Sequence, residues 1–460
     1  MSRSSAEVVI CGAGIAGISA AYHLAVRHGL PRVVLVDERA PLSLTSDKST
    51  ECYRNWWPGP GDAMVRLMNR SIDLLDEWAM ETHNRFQLNR RGYLFATAEP
   101  ERVPQFITAG EEAAALGAGP LRRHEGGGRD SAYAPSSPSG FEDQPDGSDL
   151  ITDPALLREH FPYLAPDTVA VIHPRRCGWF SAQQLGAFLL EAARKHGVEV
   201  VQGKIASVNS SGGRIRGVSV DGEGEARQIS TGRLVLAPGP LLSSAAGLLG
   251  LELPVYAEWH VKVAMADPLR VVPRVAPLLI WTDEQRLPWT DEERRELEST
   301  EATRRLMEPF PPGVHARPEG PDDSPILLIL WTYHTEPRPP TFPGPVDPLY
   351  PEVALRGLAR MLPGMRAYIG RAPRPVVDGG YYLKTRENRP LIGPLPVAGA
   401  FVLGALSGFG LMASAGAGEI LAAHVLGEQT PAYARAFRLE RYDDPTYLAL
   451  LETWGSSGQL

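Results

Sequence analysis

The chain has 460 residues, 43% of them hydrophobic and 22% charged, and a formal net charge of −8. That length is enough for two or three domain-sized units, and the acidic balance excludes a general attraction to nucleic acid or an anionic membrane. Three scattered cysteines, Cys11, Cys52 and Cys177, predict neither a disulfide framework nor a metal site and fit a reducing cytoplasm.

Residues 1–7 are short and polar, so no signal peptide is expected. A strand over 8–10 then runs into Gly12-x-Gly14-x-x-Gly17, followed by a helix over 18–28 and a second strand over 33–36 that ends on Asp37. This spacing predicts a dinucleotide site. Gly12 permits a tight turn, Gly14 lets backbone N–H groups approach a pyrophosphate, and Gly17 lets helix and strand pack closely. Ile15 and Ala16 sit at the helix start, which faces the anion. Asp37 is placed to accept from a ribose hydroxyl, with Glu38 and Arg39 beside it.

A polar segment over 45–55 leads to Trp56 and Trp57, and apolar residues at helical spacing predict a helix over 62–82. A short strand is expected over 93–97. Residues 118–149 are rich in Gly, Ser, Pro and Asp and are expected to form one irregular loop. Helices are predicted from Asp153-Pro154 and over 181–195, a strand over 198–201, a β-meander from 205–208 and 215–220, and a buried strand over 234–237 ending at Pro238-Gly239. Further strands are expected over 261–265, 278–281 and 326–331. A capping box at Thr290 to Glu293 starts a charged helix, a candidate lid. The stretch 376–427 reads as strand, turn, strand, Gly-rich turn and helix. Its uncharged part, 400–418, contains five glycines and fits this pattern better than a membrane span.

These elements predict an α/β chain: a Rossmann-like dinucleotide-binding domain, discontinuous over 1–90, 150–245 and 371–450, with a smaller mixed-sheet substrate domain over 91–117 and 246–370. The chain resembles the flavin-dependent D-amino acid oxidase, glycine oxidase and sarcosine oxidase superfamily. The resemblance runs through 8–17 with Asp37, Thr45 to Thr50, Gly178-Trp179-Phe180-Ser181, the strand ending at Gly239, Lys384 to Gly393, and Leu406-Ser407-Gly408-Phe409-Gly410-Leu411. It makes the first domain an FAD-binding domain and implies that Gly12, Gly14, Gly17 and Asp37 hold the ADP half of FAD. Ser46, Lys48, Ser49 and Thr50 would lie along the pyrophosphate and flavin, and Ile205 would follow the strand that clamps adenine. Pro238, Gly239, Gly393, Ser407, Gly408, Phe409, Gly410 and Leu411 would complete the site, with backbone amides near the flavin C2 carbonyl.

The departures from that pattern bear on function. Positions that carry a flavin-linking residue in some relatives are Gly380, or fall in 42–55, where there is no histidine; non-covalent FAD is expected. Two usual carboxylate anchors read Tyr382 and Met412. Arg54 matches an arginine over the flavin, as a carboxylate or electrostatic anchor, or is a surface residue. His334 matches a histidine lining the site, with a core or rim histidine as the alternative. An oxygen-activating lysine would fall near Leu330; Lys262, on one strand face with His260, is a stand-in or an exposed edge-strand lysine. Trp56, Trp57, Trp281, Trp289, Trp331, Tyr381 and Tyr382 would line a pocket for a bulky or aromatic substrate, or would pack the core.

The implied reaction is oxidation of a C–N bond in a small amine or amino acid. Hydride passes to flavin N5, the imine hydrolyses, and O₂ or another acceptor reoxidises the flavin, giving H₂O₂ in the case of O₂. Arg54, His334, Tyr382 and Lys262 are the candidate catalytic residues. Three alternatives stay open: an FAD-dependent 2-hydroxy acid or alcohol oxidase or dehydrogenase, with His334 as base; a non-catalytic FAD subunit of a complex; and an NAD enzyme, which would leave Gly393 and the Gly408–Gly410 segment unexplained.

Overall fold

The computed structural model describes residues 3–57, 59–126, 132–222, 226–321 and 323–454. The first apolar run forms the strand Val8–Cys11, buried on both faces. It pairs in parallel with Val33–Asp37 on one side and Leu234–Leu236 on the other. Glu199–Gln202 extends the first edge, and Ala400–Gly404 with the antiparallel Leu391–Pro394 extends the second. Short Val/Leu-rich runs suit such a sheet, because helices cover both faces. A four-stranded sheet lies beside it, and the expected meander is there as Lys204–Ser211 antiparallel to Arg214–Asp221.

The helix after the glycine motif spans Ile15–Tyr22 and continues through one wider turn, His23–Arg27. It packs on Gly410–Leu426, which also meets Ala63–Glu81. Small residues allow this close crossing. A Cβ on Gly418 would stand 2.3 Å from Ser19 Oγ, and Ser19 Oγ donates to the Ser414 carbonyl at 2.7 Å. Ser407–Leu426 is long and apolar enough to cross a membrane, but 72% of that window is buried within the protein. A core helix enclosed on every side has the same composition as a membrane span.

The second large unit is a nine-stranded sheet. Its order runs Val376–Lys384, Tyr256–Ala266, Ile326–Leu330, His315–Pro318, Leu278–Trp281, Tyr93–Thr97, Ala170–Pro174, Ser148–Ile151 and Leu121–His124. The helix Tyr350–Met361 packs its apolar side onto this sheet's core. Three expectations change here. Residues 118–149 are not one irregular loop: Leu121–His124 pairs in parallel with Ser148–Ile151, while 127–131 lie outside the described residues. Ser148–Ile151, Ala170–Pro174 and Val376–Lys384, assigned from sequence to the FAD unit or the loop, belong to the large sheet. The capping box is formed, with Glu293 N donating to Thr290 Oγ1 and Thr290 N to Glu293 Oε2. Its helix, Asp291–Leu297, is no lid. Arg356 ties Glu293 to the helix Tyr350–Met361, and no residue of Asp291–Leu297 lines the cavities described below.

Candidate active site

A long cleft opens at the carboxyl ends of the parallel strands, where ligands bind in open α/β sheets. Gly12 has φ +105°, and a Cβ there would lie 2.3 Å from the Ala237 carbonyl oxygen. A Cβ on Gly17 would lie 1.9 Å from the Gly12 carbonyl oxygen. Both glycines are therefore required by the turn itself. Gly14, Ile15 and Ala16 line the cleft at the helix start, and Ile15 N donates to Ser46 Oγ at 3.1 Å. Asp37 stands where the cleft meets a second cavity. Its carboxylate is fixed by Ala13 N at 2.7 Å and Arg39 N at 2.9 Å. The second cavity is lined by Glu38, Arg39 and Ile205, with the Arg39 guanidinium 5.1 Å over the Phe342 ring. Pro238 borders both spaces, and Gly239 lines the cleft.

At the other end, Ser407, Gly408, Gly410 and Leu411 line the cleft at the start of the Gly410–Leu426 helix. Two helix N-termini thus face one cleft, each with a partial positive charge. An elongated molecule with an anionic middle and an electron-rich ring end fits this arrangement, as FAD does. Ser49 lines the cleft, while Thr50 and Phe409 line the next cavity. Two assignments from sequence fall elsewhere. Lys48 turns away, its Nζ bonded to Asp47 Oδ2 at 2.7 Å and Asp378 Oδ2 at 3.0 Å. Gly393 does not line the cleft; its hydrogen side faces His424 and Arg438, so it serves packing.

An inner cavity adjoins the cleft and shares Tyr382 and Gly408 with it. Arg54 enters from the short strand Cys52–Arg54, which pairs with Cys177–Trp179. It is 6% exposed, which removes the surface reading, and its guanidinium lies 4.4 Å over the Trp57 ring. Trp57, Tyr93, Phe409 and Met412 give apolar walls. Burial pushes the Tyr382 hydroxyl up to about 12, so it stays a neutral donor. His260 reaches the cavity from Tyr256–Ala266. Its Nε2 lies 3.2 Å from Glu258 Oε2 and its Nδ1 3.2 Å from Thr332 Oγ1. Lys384 Nζ donates to the same Glu258 oxygen at 3.1 Å. His315 faces the cavity with Nδ1 at 2.8 Å from the Gly313 carbonyl, and burial lowers its pKa to about 4.

His334 does not join Arg54 and Tyr382. After Ile326–Leu330 the chain leaves the sheet, and His334 is exposed in an outer cavity with Glu336, Arg338 and Asp347. His260 and His315 hold the inner positions instead. Lys262 is no edge-strand residue, since its strand is paired on both sides, with Lys262 opposite Leu330 and Asp378. Its Nζ donates to the Ser49 carbonyl at 3.1 Å, and burial lowers its pKa. It braces the segment beside the cleft and does not line the inner cavity. Of the tryptophans and tyrosines considered as a pocket, Trp57 and Tyr382 line the inner cavity. Tyr381 borders the cleft, and Trp331 lines the outer cavity. Trp56 and Trp289 pack against cores, and Trp281 is fully buried.

A dinucleotide-type sheet whose cleft receives two helix N-termini and continues into a second, aromatic-lined cavity has the architecture of a flavin-dependent oxidoreductase. The chain belongs to the DAO family of FAD dependent oxidoreductases, which matches residues 7–424. FAD is its cofactor. No curated protein sequence matches the chain. Among solved structures it is similar to L-proline dehydrogenase from P. horikoshii, at 18% identity and TM-score 0.72, covering 96% of this chain and 98% of that one. It is also similar to glycine oxidase from Geobacillus kaustophilus, at 19% identity and TM-score 0.71, covering 96% and 99%. FAD-bound L-alpha-glycerophosphate oxidase from Mycoplasma pneumoniae gives 14% identity and TM-score 0.66, covering 94% and 98%. At these identities the likeness establishes the fold.

Proposed function

We propose that the enzyme oxidises the C–N bond of a small amine or amino acid bearing a bulky or aromatic portion. The observation that carries this reading is the inner cavity. It meets the FAD cleft at Tyr382 and Gly408, and it combines one buried guanidinium with aromatic walls. FAD, when bound, supplies the two-electron acceptor for a hydride from the carbon next to nitrogen and hands the electrons to O₂, giving H₂O₂, or to another acceptor. The protein's own groups bind and orient. Arg54 offers a buried cation to a carboxylate. Trp57, Tyr93 and Phe409 hold apolar substrate surface and exclude water, and Tyr382 offers its hydroxyl as a donor. The imine then hydrolyses. FAD is held without a covalent bond: Gly380 has no side chain, and a Cβ there would already meet Lys48 Cβ at 3.1 Å.

Structures of the same fold include proteins titled iminodiacetate oxidase and L-amino acid deaminase, besides the proline and glycine enzymes. These names support an amino or imino acid substrate. The glycerophosphate oxidase supports alcohol oxidation as the rival. Anaerobic bleaching of the bound flavin by N-methyl amino acids, D-amino acids, cyclic imino acids, aromatic amines and 2-hydroxy acids separates the two. Bleaching by an amine, with recovery in air, is the expected outcome. Bleaching by hydroxy acids alone would overturn the reading.

A further inference from the structure

The inner and outer cavities meet at His260 and Thr332, which line both, with His260 buried and Thr332 exposed. Behind this junction stand two more buried charged groups, Glu258 and Lys384. Their hydrogen bonds fix the direction of every proton in the chain. Burial raises the Glu258 pKa, but His260 and Lys384 outweigh it and hold the carboxyl below its usual range. An ionised carboxylate only accepts, so His260 must present Nε2–H to Glu258 Oε2. A neutral imidazole then has Nδ1 as an acceptor, and the Thr332 hydroxyl must donate to it. The lone pairs of Thr332 Oγ1 are left to accept from a group in the inner cavity.

We infer that Thr332, His260 and Glu258 form a proton relay that takes the proton from the substrate's ammonium group in the inner cavity and releases it towards the outer one. This rests on the amine reading above. Only the neutral amine can give up hydride, whereas most amines bind as cations at neutral pH. In the step, one substrate N–H bond breaks and a new Oγ1–H bond forms on Thr332. The original Thr332 Oγ1–H bond breaks and Nδ1–H forms on His260. The imidazolium is then stabilised by Glu258, with no electron transferred. The Nδ1–H bond of His260 then breaks to a water in the outer cavity that His260 and Thr332 line, forming O–H on that water and restoring the neutral ring, with the exposed His334 and Glu336 along the way out.

Other groups face His260. Burial, and to a lesser extent Lys384, lower the His260 pKa, Glu258 offsets part of this, and Tyr382 stacks on the ring. Arg54 and His315 line the same inner cavity. His315 is the weaker acceptor, because burial, Arg54 and His260 all disfavour its charged form and no carboxylate stands behind it.

Two measurements on the holoenzyme test the relay. In ¹⁵N-histidine-labelled protein, His260, assigned by loss of its signal in His260→Asn, should be the Nε2–H tautomer, and Glu258→Gln should disturb it. An Nδ1–H tautomer overturns the relay. In stopped-flow flavin reduction by an amine substrate, Thr332→Val should slow the step at pH 7 by about 100-fold, the low end of general-base effects. It should also move the rising limb of the rate–pH profile to the alkaline side. A profile identical to that of the native enzyme overturns the relay while leaving amine oxidation standing. Failure of the amine reading looks different: no amine bleaches the native flavin at any pH, and relay and reading fall together.

Discussion

The His260 imidazole lies flat on the Tyr382 ring, with centroids 3.9 Å apart and planes within 16°. Gly408 makes room for this stack, since a Cβ there would stand 2.5 Å from Tyr382 Cε2. Gly410, two residues on, has a looser setting, with its nearest contact at 3.4 Å from Leu406 Cβ. Gly408→Ala is therefore expected to displace Tyr382, perturb the visible flavin spectrum and slow flavin reduction. Gly410→Ala should leave Tyr382 in place, so that any effect it has reports on the FAD cleft that Gly410 lines and not on the stack. Equal behaviour of the two variants in absorbance and stopped-flow reduction would show that the stack does not shape the chamber.

Asp37 serves its own turn before it serves a ribose. Both carboxylate oxygens accept backbone N–H groups, and the remaining lone pairs face the two cavities. Hydrogen bonds to charged groups contribute about 1.5–3 kcal/mol, so Asp37→Ala should weaken FAD binding by roughly tenfold to a hundredfold. Asp37→Asn keeps a carbonyl oxygen for one N–H and should lose less. Titration of apoprotein with FAD, followed by flavin fluorescence, measures this. An Asp37→Ala protein that retains FAD as tightly as native would remove the acid from the cofactor site.

Arg54 is expected to discriminate among substrates rather than to drive hydride loss itself. Its guanidinium packs over Trp57 inside an apolar chamber, where a carboxylate without it would be costly to bury. Arg54→Met, of similar length, should raise KM for carboxylated amines by about tenfold or more, the worth of a charge-assisted pair. It should change KM for amines without a carboxylate by much less. Parallel loss on both classes would assign Arg54 to folding or to flavin electrostatics.

The dinucleotide half of the site was legible because its determinants are local. Gly12, Gly14, Gly17 and Asp37 lie within one strand–turn–helix–strand unit, and their spacing carries the geometry. The chamber was less legible because it gathers residues distant in sequence. Arg54, His260, His315 and Tyr382 meet only through sheet pairings, and neither His315 nor Tyr93 has a local signal. His260 did leave a trace. Glu258, His260 and Lys262 alternate in an otherwise apolar strand, which puts three polar groups on one face. His334 has only its resemblance to a site histidine to place it, and because the chain leaves the sheet after Leu330 it falls in the outer cavity instead. Residues 118–149 lacked periodicity, yet Leu121–His124 is a strand because Ser148–Ile151 offers it a pairing edge. That is tertiary context overriding composition.

Acid stability follows from histidines buried as neutral rings. Burial lowers His23 and His315 to about 4 and His173 to about 3, from an ordinary value of 6.5. Their folded pKa values are depressed, so between pH 6.5 and 4 the unfolded chain binds more protons than the native one. Stability is then full above pH 6.5 and is lost as the pH falls through that window. Each histidine contributes a slope of up to about 1.4 kcal/mol per pH unit. His23 lies in the helix core beside Trp78, far in sequence from the chamber residues, which makes it the cleanest probe. The urea midpoint of the holoenzyme should fall steadily from pH 6.5 to 4, and His23→Gln should flatten part of that slope even if it lowers the midpoint at pH 7. An unchanged slope in His23→Gln would mean that the ring is already protonated, or already exposed, in the folded protein.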